Sequence, residues 1–468
     1  MEENEQKQVP KLKSHLGTIL VSAGASIGLG NIWKFPIVVS RNGGGIFLLF
    51  YLIFVLIFGI PLITAELSLG RKSQETYINV FRGIDKKKAR FFNWQGFSGH
   101  ISTIIINMFY VVVTSWIIIY FFKSATGVFS AGITEEESGA IFQTVTSNPW
   151  PIIFCSLGIV AIGFLVCAFK ISKVLENVNK FLMIGLFIML IVLVIVSCTL
   201  PGAGAGVLFF IKPDFSIITD AGVFFKIIFN ALSQCFYSLS IGSAIVAVLG
   251  SYTSKNRTLL GTAAQIAGLD TLVAILAGFI IFPAASAFGM NLTKMADGPD
   301  LLFKVMPMLF SHMPVGALWG SLFFICLTFA SMSTLFVVYE SIVSCMGSYT
   351  KLKKWQNCLI GGVMCFILTI PPILGFNVWS PVRIGKFGIF EMCDWVAGNV
   401  FLPIGALTIS IFITSEKLGM GFNSFIEEAN LGRGIKFPAW SKWYMKIVVP
   451  VFIFAIFVIG MVSTFVNF

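Results

Sequence analysis

The sequence predicts an all-α polytopic membrane protein in which two inverted five-helix repeats precede an eleventh helix. Hydrophobic residues fill 57% of the 468 positions and charged residues only 11%, and the mean hydropathy is +0.91. Apolar runs recur at about the 20-residue length that crosses a bilayer. Two of these runs, five spans apart, are interrupted by glycine and serine. A soluble protein is therefore excluded.

The apolar runs define eleven spans, numbered here in chain order. They lie at residues 16–40, 45–70, 97–122, 151–169, 177–200, 224–249, 259–288, 318–346, 357–375, 395–414 and 444–467. The predicted units are a cytoplasmic amino-terminal segment at 1–15, a first repeat at 16–200, a second, inverted repeat at 224–414, and the eleventh helix at 444–467.

Charge alternates between successive loops. The loop after span two is strongly basic from Arg71 to Arg90, whereas the loop after span three carries Glu135 to Glu137. Because cytoplasmic loops hold the excess of Lys and Arg, we expect a cytoplasmic amino terminus and an extracellular carboxyl terminus in the cell membrane. The net charge of +11 then reflects orientation and contact with the lipid bilayer, and nucleic acid is not an expected partner. The sequence leaves the oligomeric state open.

The sequence shows no grouping of the residues that an enzyme active site needs. The three histidines, His15, His100 and His312, are far apart, and no metal-hydrolase spacing, phosphate-binding loop or nucleophile with a neighbouring base is found. We therefore do not expect an enzyme.

The first span is broken at its centre by the segment Gly28 to Asn31, with Lys34 and Pro36 close behind. Inside a bilayer, non-helical backbone persists only where it is buried in protein or lines a cavity. Span six has a similar break at Ser238 to Ser243. One such segment is more simply explained by small-residue helix packing. Two at corresponding places favour the binding site of a secondary transporter.

Other polar groups share this depth. Span eight carries Ala330, Ser333 and Thr334 on about one turn, and span seven carries Asp270. Hydroxyls, backbone carbonyls and a single carboxylate suit a cation such as Na⁺, and half-helix ends suit the two charges of an amino acid. Tyr110 is placed to hydrogen-bond a carboxylate, although a membrane tyrosine is equally well an interfacial anchor or a core residue.

The motif from Gly28 to Pro36, GLGNIWKFP, followed by Asn42 to Gly45, closely resembles the signature of the neurotransmitter:sodium symporters. Further segments resemble other helices of that family, in the right order over most of residues 13–414. They are GIPL with Glu66 and Gly70-Arg71, CFYSLSIG from Cys235, GFIIFPA from Gly278, GPDLLF from Gly298 and ASMST from Ala330.

This resemblance implies two sodium sites, a substrate cavity and an outer gate. One sodium site would use the carbonyls of Gly24, Ile27 and Ala330 with the hydroxyls of Ser333 and Thr334. The other would use Ser26, Asn31, Ser238 and Asp270 with the substrate carboxylate. The cavity would be lined by Ser26, Gly28, Leu29, Gly30, Ile106, Tyr110, Tyr237, Ser238, Ser240, Ser243, Thr334 and Val338. The gate would be Lys34 with Asp394.

Departures from the family pattern carry further expectations. Asp270 stands where many members have Asn, and Ala274 offers no serine, so we expect no need for chloride. Lys34 replaces a commoner Arg and lacks its bidentate geometry. The usual inner-gate pair is absent, because its positions hold Val9 and Ser348; Lys11 or Lys13 near Tyr252 is a possible substitute that the sequence does not establish.

Two pocket positions bear on the substrate. Tyr237 replaces a commoner Phe, and Ser243 stands where a bulky side chain is usual. The added space and hydroxyl favour a larger neutral amino acid, hydrophobic or aromatic, over a small polar one. Charged amino acids are not expected.

We therefore predict a sodium-coupled symporter that takes up a neutral amino acid by alternating access. A proton-coupled permease of the same fold is the first alternative, with Asp270, Glu66 or Glu340 carrying the proton. For Glu66, hydrogen bonding to unwound backbone is the simpler role. A substrate-gated channel or sensor is less favoured, since a gate pair and an outer lid indicate occlusion.

Overall fold

A computed structural model describes residues 28–129, 132–169, 172–293 and 300–465. Within those ranges the chain is helical, and it forms three isolated β-bridges but no β-strand. The prediction of an all-α polytopic membrane protein is confirmed.

The spans follow the predicted order, with ends shifted by several residues. They are Gly30–Lys34 with Phe35–Arg41, Gly45–Ser73, Asn93–Ala125, Pro149–Phe169, Ser172–Thr199, Ala221–Ser238 with Ile245–Tyr252, Leu259–Ala287, Gly316–Tyr349, Lys354–Leu374, Ile389–Thr414 and Ala439–Val462. Among the described residues, eight helices are long and apolar enough to cross a membrane, or nine when span five is counted with Ala203–Ile211, which bends away from it by 117°. The two remaining spans of the predicted eleven are spans one and six, which were predicted to be broken. Residues 16–27 of span one lie outside the described residues.

The break in span six has an irregular backbone. The first half-helix ends at Ser238, and between it and Ile245 the φ angles of Ser240, Gly242 and Ala244 are 53°, 84° and 75°. Left-handed φ ends an α-helix. At Gly242 a side chain is also excluded by space, because a Cβ atom would lie 2.4 Å from the carbonyl oxygen of Leu402 in span ten.

The remaining helices lie in the loops. Glu135–Ser147, Ala203–Ile211 and Asp300–Ser311 are on the face expected to be extracellular, and Val80–Ile84 and Phe422–Ala429 are on the opposite face. Thr134 caps Glu135–Ser147, and its backbone and hydroxyl groups donate to Glu137, which lowers the pKa of that carboxyl.

Close helix packing holds the second half of span six against span two. A Cβ atom at Gly70 would lie 1.8 Å from the carbonyl oxygen of Ala247, and one at Gly250 would lie 2.4 Å from that of Leu67. Small residues let backbones approach in this way in membranes. Among the eight helices long enough to cross a membrane within the described ranges, those of spans seven and eight are the most enclosed, with 67% of their most apolar stretch buried, against 24% in span eleven.

Arg71, at the end of span two, is fully buried and ties three segments together. Its guanidinium donates to the carboxylate of Glu428 at 2.7 Å and to the backbone carbonyls of Ser254 and Arg257 at 3.3 and 2.9 Å. We call this group of four residues the clasp. It lies on the face expected to be cytoplasmic and connects span two to the loops after spans six and ten.

At the expected inner gate, the Ser348 hydroxyl lies 2.5 Å from that of Thr76. Val9, Lys11 and Lys13 lie outside the described residues. Whether a cation of the amino-terminal segment closes this face therefore stays a prediction.

Candidate functional site

A cavity of about 30 Å³ lies where the described start of span one, at Gly28 to Gly30, faces the break of span six, and we call it the central cavity. It is lined by Gly28, Gly30, Ile106, Tyr110, Tyr237, Ser238, Ser240, Ile245, Thr334 and Leu402. Spans one, three, six, eight and ten thus contribute, and the lining combines hydroxyls and apolar groups without a charged side chain.

Two glycines of span one allow this convergence. A Cβ atom at Gly28 would lie 2.4 Å from the hydroxyl oxygen of Tyr110 and 3.1 Å from that of Thr334. The Tyr110 hydroxyl can therefore reach the backbone at the start of Gly30–Lys34, where it accepts a hydrogen bond from the Leu29 N–H at 3.1 Å. At Gly30 a Cβ atom would lie 3.2 Å from the Tyr237 ring.

Three of the four side chains predicted for one sodium site lie together and are buried. Ser238 donates to the carboxylate of Asp270 at 2.5 Å and lies 3.1 Å from the amide oxygen of Asn31. The Asn31 amide in turn donates to the backbone carbonyl of Asp270 at 2.6 Å. The fourth, Ser26, lies outside the described residues.

Asp270 leaves one carboxylate oxygen, Oδ1, without a hydrogen-bond partner within the described ranges, although the side chain is fully buried. A buried carboxylate needs a counter-charge or hydrogen bonds to offset its lost hydration. With Asn31 Oδ1 and Ser238 Oγ nearby, the donors are oxygens, which suit a hard cation. The group fits Na⁺.

The second predicted sodium site is described only in part. Ala330, Ser333 and Thr334 are buried on one turn of span eight, and the Thr334 hydroxyl lies 3.5 Å from the Ala330 carbonyl oxygen. Gly24 and Ile27, which would complete the set, lie outside the described residues.

An ion pair lies beside the central cavity. The Lys34 ammonium lies 2.7 and 2.8 Å from the two carboxylate oxygens of Asp394, and 3.7 Å from the centre of the Tyr237 ring. Beyond it, toward the expected extracellular face, lies a cavity of about 850 Å³ that we call the vestibule. The predicted gate residues thus lie between the two cavities.

Comparison with known proteins decides the family. Residues 10–138 and 138–467 match the model of the sodium:neurotransmitter symporter family. The chain belongs to this family. It is therefore a sodium-dependent symporter and a multi-pass membrane protein, and not an enzyme.

Relatives of this symporter match it over nearly its whole length. An uncharacterized sodium-dependent transporter of Bacillus subtilis, YhdH, is 33% identical over 98% of this chain and 100% of its own. The sodium- and chloride-dependent taurine transporter of the dog is 26% identical over 98% of this chain and 79% of its own. The crystal structure of MhsT in complex with L-phenylalanine superimposes with a TM-score of 0.88 at 33% identity, over 97% of this chain and 100% of that one.

Most residues predicted for the symporter's substrate site line the central cavity. Three of the predicted residues are buried but do not line it, namely Leu29, Ser243 and Val338. Leu29 contributes its backbone N–H to Tyr110, and Val338 lies outside the lining. Ser243 turns its hydroxyl to the carbonyl of Ser240 at 2.6 Å, so it supports the break itself.

Sequence reasoning missed two lining residues of the symporter, Ile245 and Leu402. Ile245 is the first residue after the break and was detectable as such. Leu402 gave no local signal, because its position depends on how closely span ten approaches Gly242.

The other two predicted proton carriers of the symporter, Glu66 and Glu340, each have a partner, although Glu66, like Asp270, leaves one buried oxygen, Oε1, without a hydrogen-bond partner among the described residues. Glu66 accepts a hydrogen bond from the N–H of Gly242 at 2.9 Å, beside the amino terminus of Ile245–Tyr252, which has no side-chain cap of its own. A carboxylate there offsets the unpaired N–H groups and the helix dipole. Glu340 lies 2.9 Å from the Lys354 ammonium. Glu66 thus takes the backbone-binding position expected for it.

Proposed function

We propose that this symporter couples sodium entry to the uptake of a neutral amino acid with a hydrophobic or aromatic side chain. The observation that carries the proposal is a central cavity without charged lining, next to the buried carboxylate of Asp270, one oxygen of which has no hydrogen-bond partner among the described residues. A charged substrate side chain would be buried there without a counter-charge, which is costly. The carboxylate and the ammonium of an amino acid would each have a binding partner in the site, as described next.

The backbone around the breaks supports one orientation of that zwitterion. The helix of span one begins at Gly30 without a side-chain cap, and Tyr110 lies beside it, so the substrate carboxylate would bind here. Sodium held by Asn31, Ser238 and Asp270 would neutralise it. The ammonium would face the carbonyls that end the first half of span six, because a helix carboxyl terminus favours cations.

The apolar part of the lining supports the substrate class. Ile106, Ile245 and Leu402 offer hydrocarbon surface. A volume of about 30 Å³ holds only a few waters, since one water needs about 10–15 Å³, so a large side chain requires a shift of the lining. MhsT, a relative of known structure, was crystallised with L-phenylalanine, and this likeness agrees with an aromatic substrate.

We further propose that two sodium ions take part and that chloride does not. Asp270 supplies the negative charge beside the first sodium. Each ion that enters through about 100 mV contributes about 2.3 kcal/mol. Two ions therefore sustain a substrate gradient of more than about a hundredfold, since about 1.4 kcal/mol corresponds to tenfold.

Transport by alternating access would expose the central cavity to the two faces in turn. We propose that the vestibule opens to the outside, since the basic loops indicate a cytoplasmic location for the clasp. The Lys34 to Asp394 pair would then close the outer path.

The test is a thermal-shift screen of the purified protein with each of the twenty amino acids, in sodium chloride and in choline chloride. A ligand that binds only the folded state raises the melting temperature. We expect hydrophobic or aromatic amino acids to do so, and only with sodium.

Uptake into proteoliposomes separates the alternatives. Accumulation against the substrate gradient excludes a channel, and accumulation in choline driven by a pH gradient would instead support the proton-coupled permease. Replacement of chloride by gluconate at constant sodium should leave uptake unchanged; stimulation by chloride would refute the chloride proposal.

A further inference from the structure

Tyr237 is the residue that the linings of the central cavity and the vestibule have in common. The Lys34 ammonium lies 3.7 Å from the centre of the Tyr237 ring. The same ammonium donates to a carboxylate oxygen of Asp394 at 2.7 Å. A substrate in the central cavity and the gate cation therefore contact one ring. Any movement of the ring caused by the substrate alters the surroundings of the ion pair.

Two glycines bound opposite edges of this ring. A Cβ atom at Gly30 would lie 3.2 and 3.3 Å from Cε1 and Cδ1 of Tyr237. A Cβ atom at Gly398, in span ten, would lie 3.3 and 3.9 Å from Cδ2 and Cε2. The ring thus fits a slot between spans one and ten that is only as wide as two side-chain-free residues allow.

We propose that Gly398 determines substrate specificity by setting how far the Tyr237 ring can withdraw from the central cavity while Lys34 and Asp394 stay paired. This inference rests on the proposed uptake of neutral amino acids. The central cavity of about 30 Å³ accepts a large side chain only if its lining moves. The Tyr237 ring lies between this cavity and the vestibule. Because Gly398 has no side chain, the ring has room to move at the edge that faces it.

A methyl group at Gly398 would reduce this freedom. It would lie 3.3 Å from the ring, closer than the about 3.5–4.0 Å between carbon atoms in favourable contact, while its 3.5 Å distance from the Lys34 ammonium is an ordinary contact. The opposite edge faces Gly30, whose would-be Cβ lies 3.2 Å from the ring, so that side offers no more room than the side of Gly398. The ring would be held toward the cavity, and large substrates would lose more affinity than small ones.

The experiment compares Gly398→Ala with Gly268→Ala, a helix glycine in span seven with no atom within 4 Å of its would-be Cβ. Sodium-dependent binding of radiolabelled L-phenylalanine and L-alanine is measured on detergent-purified protein. We expect Gly398→Ala to lower the ratio of phenylalanine to alanine affinity by about tenfold, a typical effect of overpacking by one methyl group. Gly268→Ala should keep the wild-type ratio.

A double-mutant cycle shows whether Gly398 acts through the ring. In a Tyr237→Ala background, Gly398→Ala should no longer change the ratio, because there is no ring to restrict. An unchanged ratio in the single variant, or an equal change with and without the ring, overturns the inference. If the wild-type protein binds neither amino acid, it is the proposed function that fails.

Discussion

The chemistry of the site depends on a few polar atoms that are buried together. Asp270, Ser238 and Asn31 form one hydrogen-bonded group, and the oxygen left over on Asp270 is the feature that fits a cation. Tyr110 contributes a hydroxyl that already contacts the backbone of Leu29. Each of these roles can be tested by removing one polar atom.

Asp270→Asn removes the negative charge and keeps the shape of the side chain. We expect the sodium concentration for half-maximal amino acid uptake to rise by at least about tenfold, because hydrogen bonds and contacts to charged groups contribute about 1.5–3 kcal/mol. Glu340→Gln is the matched control, since that carboxylate is partly exposed and paired with Lys354. A sodium dependence equal to that of the control would exclude Asp270 as a ligand.

Tyr110→Phe deletes the hydroxyl that accepts a hydrogen bond from the Leu29 N–H, at the start of the described part of span one. Loss of a hydrogen bond to a substrate carboxylate should weaken amino acid binding by about 10- to 100-fold. In Tyr349→Phe the lost hydroxyl contacts His100 at 3.4 Å near the end of span eight, so binding should not change. Equal affinities of the two variants in a sodium-containing binding assay would show that Tyr110 does not contact the substrate.

Among the elements, span six depends most on its neighbours. Its second half has only eight residues, Ile245–Tyr252, and is held by span two through glycine contacts and through Glu66. An isolated helix of this length is unstable, so tertiary packing must stabilise it.

Gly70→Ala should therefore destabilise the protein, because the new methyl group would lie 1.8 Å from the carbonyl oxygen of Ala247. Overpacking typically costs about 1–3 kcal/mol, and backbone atoms cannot turn aside as a side chain can. We expect a lower melting temperature and reduced substrate binding. Gly158→Ala in span four, where no atom lies within 4 Å, should leave the melting temperature close to that of the wild type; a similar value for Gly70→Ala would contradict this packing.

The sequence predicted these elements where the signal was local. Span lengths followed from hydropathy, and the break of span six followed from its serine and glycine residues. Side-chain direction was less accessible: Ser243 was expected to line the cavity, but left-handed φ angles around it turn its hydroxyl to the Ser240 carbonyl. Leu402 was missed because its place depends on the approach of a distant span.

At the scale of the whole molecule, the two faces differ. The vestibule of about 850 Å³ lies on one side of the central cavity, and the clasp around Arg71 ties segments together on the other. The sequence did not predict the clasp, because Arg71 and Glu428 are far apart in the chain and each resembles an ordinary loop charge.

Arg71→Met should strongly destabilise the folded protein. It leaves the carboxylate of Glu428, which is 6% exposed, without its counter-charge, and breaking a buried pair in this way costs about 3–5 kcal/mol. Lys442→Gln breaks the exposed pair with Glu416 and should cost no more than about 1 kcal/mol. Thermal unfolding of both variants in detergent checks this; equal losses would mean that the clasp contributes little.

Glu66 also has a consequence for the handedness of the ligand. Since it already covers the amino terminus of Ile245–Tyr252, the proposed binding of the ligand carboxylate at the other helix start, at Gly30, is the one arrangement we consider. In that arrangement an amino acid would be fixed at its carboxylate, its ammonium and its side chain, and its mirror image would satisfy only two of these three points. We expect the D-enantiomer of any stabilising amino acid to give a clearly smaller thermal shift, whereas equal shifts would mean that the ligand can bind in either direction.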